Sequence, residues 1–478
     1  MNAPIRRLFG LVVLLMLALI FKTSWNTVFT AEALRDNPKN ARDLLEQERI
    51  RRGRIRADDG TLLARSVKSG AETWRRSYTS AAKLFANPLG YAFVDPGRTG
   101  LEAAYNGELS GEDNGLRSIL DELRGKRVVG DDLITTLDPA AQRLAESLLA
   151  GRPGAVVALD PSTGAVKVMA QYPSYDPQDA GDRKAFAALR RRSGAPLLDR
   201  ATQGLYPPGS TFKVVTAIAA LDSGRFTPQS RLSGKTGIPI SGVPLDNDDG
   251  ESYGSIDMDT ALTHSVNTYW AQVAEQVGKP TLKRYMERLG FDRPVAVDLP
   301  RGERASSGVH TSSGAIRDPT SRYVDIGRVG IGQEKLLVTP LQMAMVASAV
   351  ANGGVLMRPH MGAKIVDDDG RTVRTIEPEE IGRVMTRRTA TEVREMMKHV
   401  VKEGTGTAAA LEGIDVAGKT GTAQKDPSRN ITQPWFIAFA PADHPRIAVA
   451  VTIENVKGGY GGTDAAPIAK RVMQELLK

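Results

Sequence analysis

The sequence predicts an α+β fold whose sheet is closed by pairing between strands far apart in the chain, preceded by a smaller extended domain and an N-terminal membrane anchor. Three observations predict it. Strand-like runs stand at both ends of residues 151–478, with helix-like stretches between them. Residues 31–150 are polar and charge-rich, with few long apolar stripes. At the N-terminus, Arg6 and Arg7 precede an unbroken apolar run from Leu8 to Phe21.

That run defines the first element, an anchor within residues 1–30. Its 14 residues are short for a bilayer, which takes about 20, and fall in the range of a signal-peptide core. Ala31-Glu32-Ala33 has the small-residue form of a cleavage site. Against cleavage, Trp25, Val28 and Phe29 extend the apolar character past Lys22, as interfacial anchors do, and an uncleaved single-pass anchor is the expectation. Positive charge ahead of the run places the N-terminus in the cytoplasm and the remainder outside. Both alternatives export the rest of the chain.

In the domain over 31–150, Arg52–Ile55 and Asp59–Ala64 read as two short strands around an Asp-Gly turn. Asp138-Pro139 supplies an N-cap and a first-turn proline for a helix through Leu149. In the domain over 151–478, Ala155–Leu159 and Ala165–Ala170 flank Asp160–Gly164 as a hairpin. Asp415–Gln424, Trp435–Ala440 and Arg446–Asn455 are three further strands, and Thr463–Leu477 a closing helix. The insert between is mostly helical, with Thr339-Pro340 opening one helix and Asn352-Gly353-Gly354 ending it.

Composition narrows the chemistry. Of 478 residues, 41% are hydrophobic and 25% charged, as in globular proteins. The net charge of +8 comes from scattered basic residues, and aromatics are only 5%, so a nucleic-acid platform is not expected. The absence of cysteine excludes a thiol nucleophile, a thiolate zinc site and disulfides. The five histidines lie far apart, so neither a metal nor a cofactor is expected. Catalysis must run on hydroxyls, amines, amides or carboxylates.

Ser210-Thr211-Phe212-Lys213 follows Tyr206-Pro207-Pro208-Gly209 and opens the apolar stretch Val214–Leu221. A Ser and a Lys three apart on a helix share one face, so the amine can reach the hydroxyl. Burial beside the positive end of the helix dipole lowers the amine's pKa and lets Lys213 take the Ser210 proton. The Ser210 N–H can donate to an oxyanion at the same spot. An isolated Ser-x-x-Lys is weak evidence, since its serine more often merely caps a helix, and Ser80–Lys83 fits the same pattern.

A second hydroxyl motif raises the odds. Ser265-Val266-Asn267 lies in a helical-looking segment, Asp257–Val277, where the hydroxyl can relay a proton and the amide can hold a substrate amide. Lys419-Thr420-Gly421-Thr422, in the run Asp415–Gln424, is the third element. A strand edge there can bind a peptide-like substrate as an added strand, with the lysine and a threonine hydroxyl on its carboxylate and Gly421 allowing close approach. Each motif has decoys: Ser24-Trp25-Asn26 and Ser428-Arg429-Asn430 for the second, Lys235-Thr236-Gly237 for the third. Gly413–Thr420 also satisfies the phosphate-loop pattern, but a helical-looking stretch precedes it and a polar one follows, the inverse of what phosphate binding requires.

Ser-x-x-Lys, Ser-x-Asn and Lys-Thr-Gly in this order resemble the signature of penicillin-binding proteins and active-site-serine β-lactamases. The likeness extends to Arg52–Ala64, Thr135–Pro139, Asp160–Gly164, Tyr206–Thr216, Gly332-Gln333, Thr339–Gln342 and Trp435–Pro441, so nearly the whole chain resembles class B penicillin-binding proteins, most of all the actinobacterial penicillin-binding protein A type. The resemblance implies a penicillin-binding, serine β-lactamase-like transpeptidase domain, an antiparallel sheet flanked by helices, over 151–478, and a pedestal or dimerisation-type domain over 31–150. It implies a peptidoglycan D,D-transpeptidase of wall synthesis, in cell division or shape, that cross-links stem peptides through a Ser210 acyl-enzyme and is acylated by β-lactams. Lys213 would be the general base, Ser265 the proton relay to the leaving amine, and Asn267 the group that holds the substrate amide and positions Lys213. Lys419, Thr420, Gly421 and Thr422 would bind the substrate's terminal carboxylate end, and the N–H groups of Ser210 and Thr422 would form the oxyanion hole. A glycosyltransferase or division-complex protein would be a partner.

Residues 31–150 are too short for a glycosyltransferase domain of roughly 200 residues, so the expectation is monofunctional. Val266 stands where many β-lactamases carry Asp, and no Glu is placed to activate a deacylating water, which puts a β-lactamase-type hydrolase or a D,D-carboxypeptidase behind the transpeptidase. A catalytically idle sensor or scaffold is a rival of another class, against which the intact set of motifs argues.

Overall fold

Apolar residues uninterrupted by proline after Pro4 carry helix α1 (Asn2–Phe29) through 28 residues, past Lys22 and Trp25. At 1.5 Å per residue it is about 42 Å long. Its stretch Ala3–Trp25, of mean hydropathy 2.1, is the one helix among the described residues long and apolar enough to cross a membrane. The structure, a computed structural model, describes residues 2–29, 48–111 and 129–478. The Ala31-Glu32-Ala33 cleavage motif lies outside the described residues.

Strands β1 (Ile55–Arg56) and β2 (Leu62–Lys68) form the antiparallel pair expected around Asp59-Gly60, followed by β3 (Trp74–Tyr78) and β4 (Asp132–Thr135). Beneath them Glu102, fully buried, accepts from Arg52 Nε at 2.8 Å, Arg76 Nε at 2.5 Å and the Tyr78 hydroxyl at 3.1 Å. Burial pushes this carboxyl up, but Arg76 and Arg52 outweigh it and hold it below the ordinary glutamate value. One carboxylate thus clips three segments of this N-terminal unit.

The sheet of this N-terminal unit takes two strands from far along the chain, Gly362–Val366, which pairs with β4, and Thr372–Thr375. Asp298 reinforces the seam by accepting from the Tyr105 hydroxyl at 2.7 Å and from the Gly362 N–H at 2.8 Å. The two units therefore share a sheet, and the N-terminal unit is held by more than one covalent connection.

Helix α2 (Pro139–Leu149) is capped by Asp138, which accepts from the N–H groups of Ala140 and Ala141. It turns Ala141, Ala145 and Leu149 toward the larger sheet. Next come β5 (Gly154–Leu159) and β6 (Val166–Tyr172), then the helical insert with α3 (Lys213–Asp222), α4 (Met258–Thr263), α5 (Asn267–Val277), α6 (Pro340–Ala351) and α7 (Arg387–Lys402). The chain returns to the sheet as β7 (Ala417–Asp426), β8 (Ile431–Ala440) and β9 (Ile447–Ile453), and ends in α8 (Ala466–Leu476).

The sheet order is β7-β8-β9-β5-β6, antiparallel throughout, and Val451 of β9 pairs with Val156 of β5, which is the non-local closure expected. Period-two alternation splits the core. Val156, Ala158, Phe436, Ala438, Val449 and Val451 face α2 and α8, while Val157, Leu159, Ile437, Phe439, Ala448 and Ala450 face the helical insert. Burying both faces makes the central strands continuous apolar runs. β7 is the outermost strand, beside the α3 layer, and the candidate site lies at that junction.

Candidate active site

The nucleophile candidate sits on a 3₁₀ turn, Gly209–Phe212, and the α-helix begins only at Lys213. An α-helical first turn was expected. The difference has a local cause, for Gly209 has φ +52° and its N–H donates to Gly332 O at 3.2 Å, while a Cβ on Gly332 would stand 1.9 Å from Gly209 O. Two glycine backbones in contact hold the turn tight. In 3₁₀ geometry residues three apart eclipse, which aligns Ser210 with Lys213 more directly than an α-turn does. The approach is pinned from outside: Trp435 Nε1 donates to Pro207 O at 2.9 Å, and Glu454 accepts from the Tyr206 hydroxyl and from Arg200 Nε, both at 2.7 Å. Nothing in the sequence singled out Arg200 or Glu454, which meet only in the folded chain.

Lys213 is fully buried. Its Nζ donates to Ser265 O at 2.6 Å, to Asn267 Oδ1 at 2.6 Å and to Ser265 Oγ at 3.2 Å. Burial pulls it down to about 7, against an opposing pull from Asp248. Those three bonds use all three ammonium protons. Once neutral, the amine keeps two N–H groups and a lone pair, and the Ser265 hydroxyl can reverse its bond and donate.

The segment Asp257–Val277 does not run as the single helix its sequence suggests. α4 stops at Thr263, Ser265 adopts φ +59°, and α5 starts at Asn267. The Val266 N–H reaches back to Ala261 O at 2.9 Å and closes the break. A left-handed serine costs about 1–2 kcal/mol. Here that conformation aims both the carbonyl and the hydroxyl of Ser265 at Lys213, which an unbroken helix would not do.

Lys419-Thr420-Gly421-Thr422 lies within β7. Alternation puts Lys419 and Gly421 on one face and the two threonines on the other. A Cβ on Gly421 would meet Pro208 O at 2.7 Å, and one on Gly209 would meet Thr422 C at 3.0 Å, so the strand backbone runs against the nucleophile turn and brings Thr422 beside Ser210. Lys419 is fully buried, donating to Thr420 O at 3.0 Å and Thr420 Oγ1 at 3.3 Å. Burial first and repulsion from Lys213 second hold it well below the lysine range, with Asp248 acting the other way. Thr420 Oγ1 is also engaged by Thr405 Oγ1 at 2.6 Å. Thr422 is half-exposed, and its hydroxyl accepts from the Gly461 N–H at 3.1 Å, which leaves its own proton free for a ligand.

The fold thus brings Ser210, Lys213, Ser265, Asn267, Lys419, Thr420, Gly421 and Thr422 together between β7 and the helical insert. The decoys go elsewhere. Lys83 is paired with Asp176 at the surface, Lys235-Thr236-Gly237 lies in a loop, and Ser428-Arg429-Asn430 forms a surface turn. Gly413–Thr420 runs into a strand, so no helix N-terminus exists there to hold a phosphate. A loop that sequence reasoning passed over, Asp246-Asn247-Asp248, touches the second motif directly: Asp246 O and Asp248 Oδ1 each accept from Asn267 Nδ2 at 3.2 Å.

Comparison with known proteins gives the family. The family model described as "Penicillin binding protein transpeptidase domain" matches residues 154–474, and "Penicillin binding protein A dimerisation domain" matches residues 52–133. The peptidoglycan D,D-transpeptidase PbpA of Mycolicibacterium smegmatis is 34% identical, covering 100% of this chain and 99% of its own. That of Mycobacterium tuberculosis is 33% identical over 100% and 99%. Among solved structures, penicillin-binding protein A of M. tuberculosis as its penicillin G acyl-enzyme superposes with a TM-score of 0.79 at 31% identity, over 90% of this chain and 100% of that one. With the motifs gathered together, a family model spanning more than half its length and full-length relatives above 30% identity, the chain belongs to the class B penicillin-binding protein transpeptidases.

Proposed function

We propose that Ser210 is the nucleophile and Lys213 the general base of a peptidoglycan D,D-transpeptidase. The observation that carries this reading is the fully buried Lys213 amine, pulled to about 7 and held by Ser265 and Asn267. Near neutral pH it is partly unprotonated and can take a proton, which an exposed lysine does not do.

Ser210 Oγ attacks the carbonyl of the D-Ala-D-Ala amide as Lys213 takes the hydroxyl proton. Charge on the carbonyl oxygen is met by the N–H groups of Ser210 and Thr422. As the amide C–N bond breaks, Ser265 passes a proton to the departing D-Ala nitrogen, drawing its replacement from Lys213. An amine of a neighbouring stem then attacks the Ser210 ester and gives up a proton through Ser265 to Lys213; the ester C–O bond breaks, Lys213 returns the proton to Ser210 Oγ, and a cross-link remains. The Thr420 and Thr422 hydroxyls, on one face of β7, hold the terminal carboxylate, with Lys419 acting on it through its bond to Thr420 and Gly421 keeping the strand close. Asn267 retains one lone pair on Oδ1 for a substrate N–H, because both its amide protons are taken by the Asp246–Asp248 loop.

The chain divides into an anchor at 1–30, a pedestal at 31–150 and the catalytic domain at 151–478. Arg6 and Arg7, within α1 and ahead of its apolar run Leu8–Phe21, support a cytoplasmic N-terminus with the catalytic domain outside. The family likeness makes a glycosyltransferase or division-complex protein the expected partner.

The test is covalent labelling of the full-length protein with a fluorescent penicillin, read on a denaturing gel. A band that persists with time and vanishes in Ser210→Ala is expected. An undiminished band in that variant would overturn the nucleophile assignment, and rapid loss of the parent's band would favour a hydrolase.

A further inference from the structure

The loop between Leu245 and the N-terminus of α4 grips Asn267 of the second motif and the adjoining Thr268 with three successive residues. Asp246 O accepts from Asn267 Nδ2 at 3.2 Å. Asn247 Oδ1 accepts from the Thr268 N–H at 3.0 Å and from the Thr268 hydroxyl at 3.1 Å, while its Nδ2 donates to Gly234 O at 2.8 Å and Glu251 O at 2.9 Å. Asp248 Oδ1 accepts from Asn267 Nδ2 at 3.2 Å. The loop is braced in turn by Thr236, whose hydroxyl accepts from the Asn247 N–H at 3.1 Å and donates to Asp246 Oδ1 at 3.2 Å.

An asparagine side chain can turn either end toward a neighbour, and the wrong end would place N–H groups against the Lys213 ammonium. Two oxygens on one side of Asn267, Asp246 O and Asp248 Oδ1, accept only from its NH₂ and so force Oδ1 toward Lys213. We propose that Asp248 is a positioning residue for the general base, orienting Asn267 and, through it, the Lys213 amine, while placing a carboxylate one amide group away from that amine. The proposal rests on the assignment of Lys213 as base.

The charge has a separate effect. Three groups face Lys213 from the elements around it: Ser265 and Asn267, which are uncharged, and Lys419 on β7, which carries like charge when protonated. Asp248 is the carboxylate that acts on both lysines, and it favours the charged form of each. It is exposed, so solvent screens this attraction without removing it. When Lys213 takes the Ser210 proton, Asp248 stabilises the cation that forms, at the cost of delaying deprotonation of the resting enzyme as pH rises.

The experiment is the acylation rate of full-length protein by a fluorescent penicillin from pH 5 to 9, for the parent, Asp248→Asn and Asp248→Ala. Asp248→Asn keeps an oxygen for Asn267 but drops the charge. Its acid limb should move to lower pH, so that it outpaces the parent about two- to threefold at pH 6 and does not exceed it at pH 8.5. Asp248→Ala loses the acceptor as well and should be slower than Asp248→Asn at pH 8.5, at a melting temperature like the parent's. A merely structural residue would slow acylation at every pH and never speed it at pH 6. Profiles of both variants lying on the parent's, or an unshifted limb in Asp248→Asn, would overturn the proposal, and the Asp248→Asn profile decides even if the alanine variant unfolds. A parent that is acylated without any limb near 7 would sink the Lys213 assignment instead, so the two failures are distinguishable.

Discussion

Replacing Gly421 with alanine tests whether contact between β7 and the nucleophile turn sets the catalytic geometry. The backbone at 421 is not among the positive-φ positions, so alanine is tolerated locally, and the effect must come from what the new methyl meets. An ideal Cβ would lie 2.7 Å from Pro208 O, 2.9 Å from Thr211 Cγ2 and 3.1 Å from the Thr211 nitrogen. Carbon–oxygen contacts settle near 3.3 Å, so strand and turn must separate by about 0.6 Å. The turn cannot yield on its far side, where Gly209 already touches Gly332, so the displacement falls between Thr422 and Ser210. Misplacement by 1 Å costs about a hundredfold in a reaction that depends on alignment, and loss of one oxyanion donor costs about 10²–10³. A 0.6 Å opening should therefore slow acylation roughly ten- to thirtyfold. The assay is the second-order rate constant for a fluorescent penicillin on full-length protein, with a thermal melt alongside. Overpacking costs about 1–3 kcal/mol, so the melt should fall modestly while the fold persists. Acylation within twofold of the parent would refute the idea that this contact governs the site.

Two further outcomes follow from buried charges. Burial holds Lys213 at about 7 in the fold against 10.5 for an ordinary lysine, so across that window the unfolded chain binds more protons at this position. The stability of the parent relative to Lys213→Met should consequently rise between pH 7 and 10, and a difference in melting temperature that stays constant or falls would contradict it. In the pedestal, Glu102→Gln leaves Arg52 and Arg76 without their shared carboxylate and should cost about 3–5 kcal/mol locally. Limited proteolysis should find the pedestal opened while acylation of Ser210 by penicillin stays near the parent's rate; equal protease resistance would show that the triad is not what holds that domain.

What was legible in the sequence was whatever local chemistry encodes. Asp138-Pro139 and Thr339-Pro340 cap their helices because the capping bonds span three residues, and β5, β8 and β9 announce themselves as apolar runs because both of their faces are buried. The three motifs were legible as residue types in order, yet each alone had decoys of the same spelling. What separates Lys213 from Lys83 is complete burial, and what separates Lys419 from Lys235 is a strand laid against the nucleophile turn; neither is a property of the neighbouring letters. The left-handed Ser265 was invisible for the same reason, since the apolar residues on either side of it read as one helical segment and only the fold shows the bond from Val266 back to Ala261 and the pull of Lys213 on its carbonyl. The strand Gly362–Val366 was missed for a different reason: its pairing partner, β4, lies more than two hundred residues earlier, in the other domain. The same logic applies to Asp246–Asp248. A stretch of polar and acidic residues reads as solvated loop, and it acquires a role only because Asn267, itself brought there by the break at Ser265, presents an amide that needs two acceptors. The strained serine and the unremarkable loop are therefore one device, and a variant that straightened the helix through Ser265 would remove the ligand that Asp248 holds.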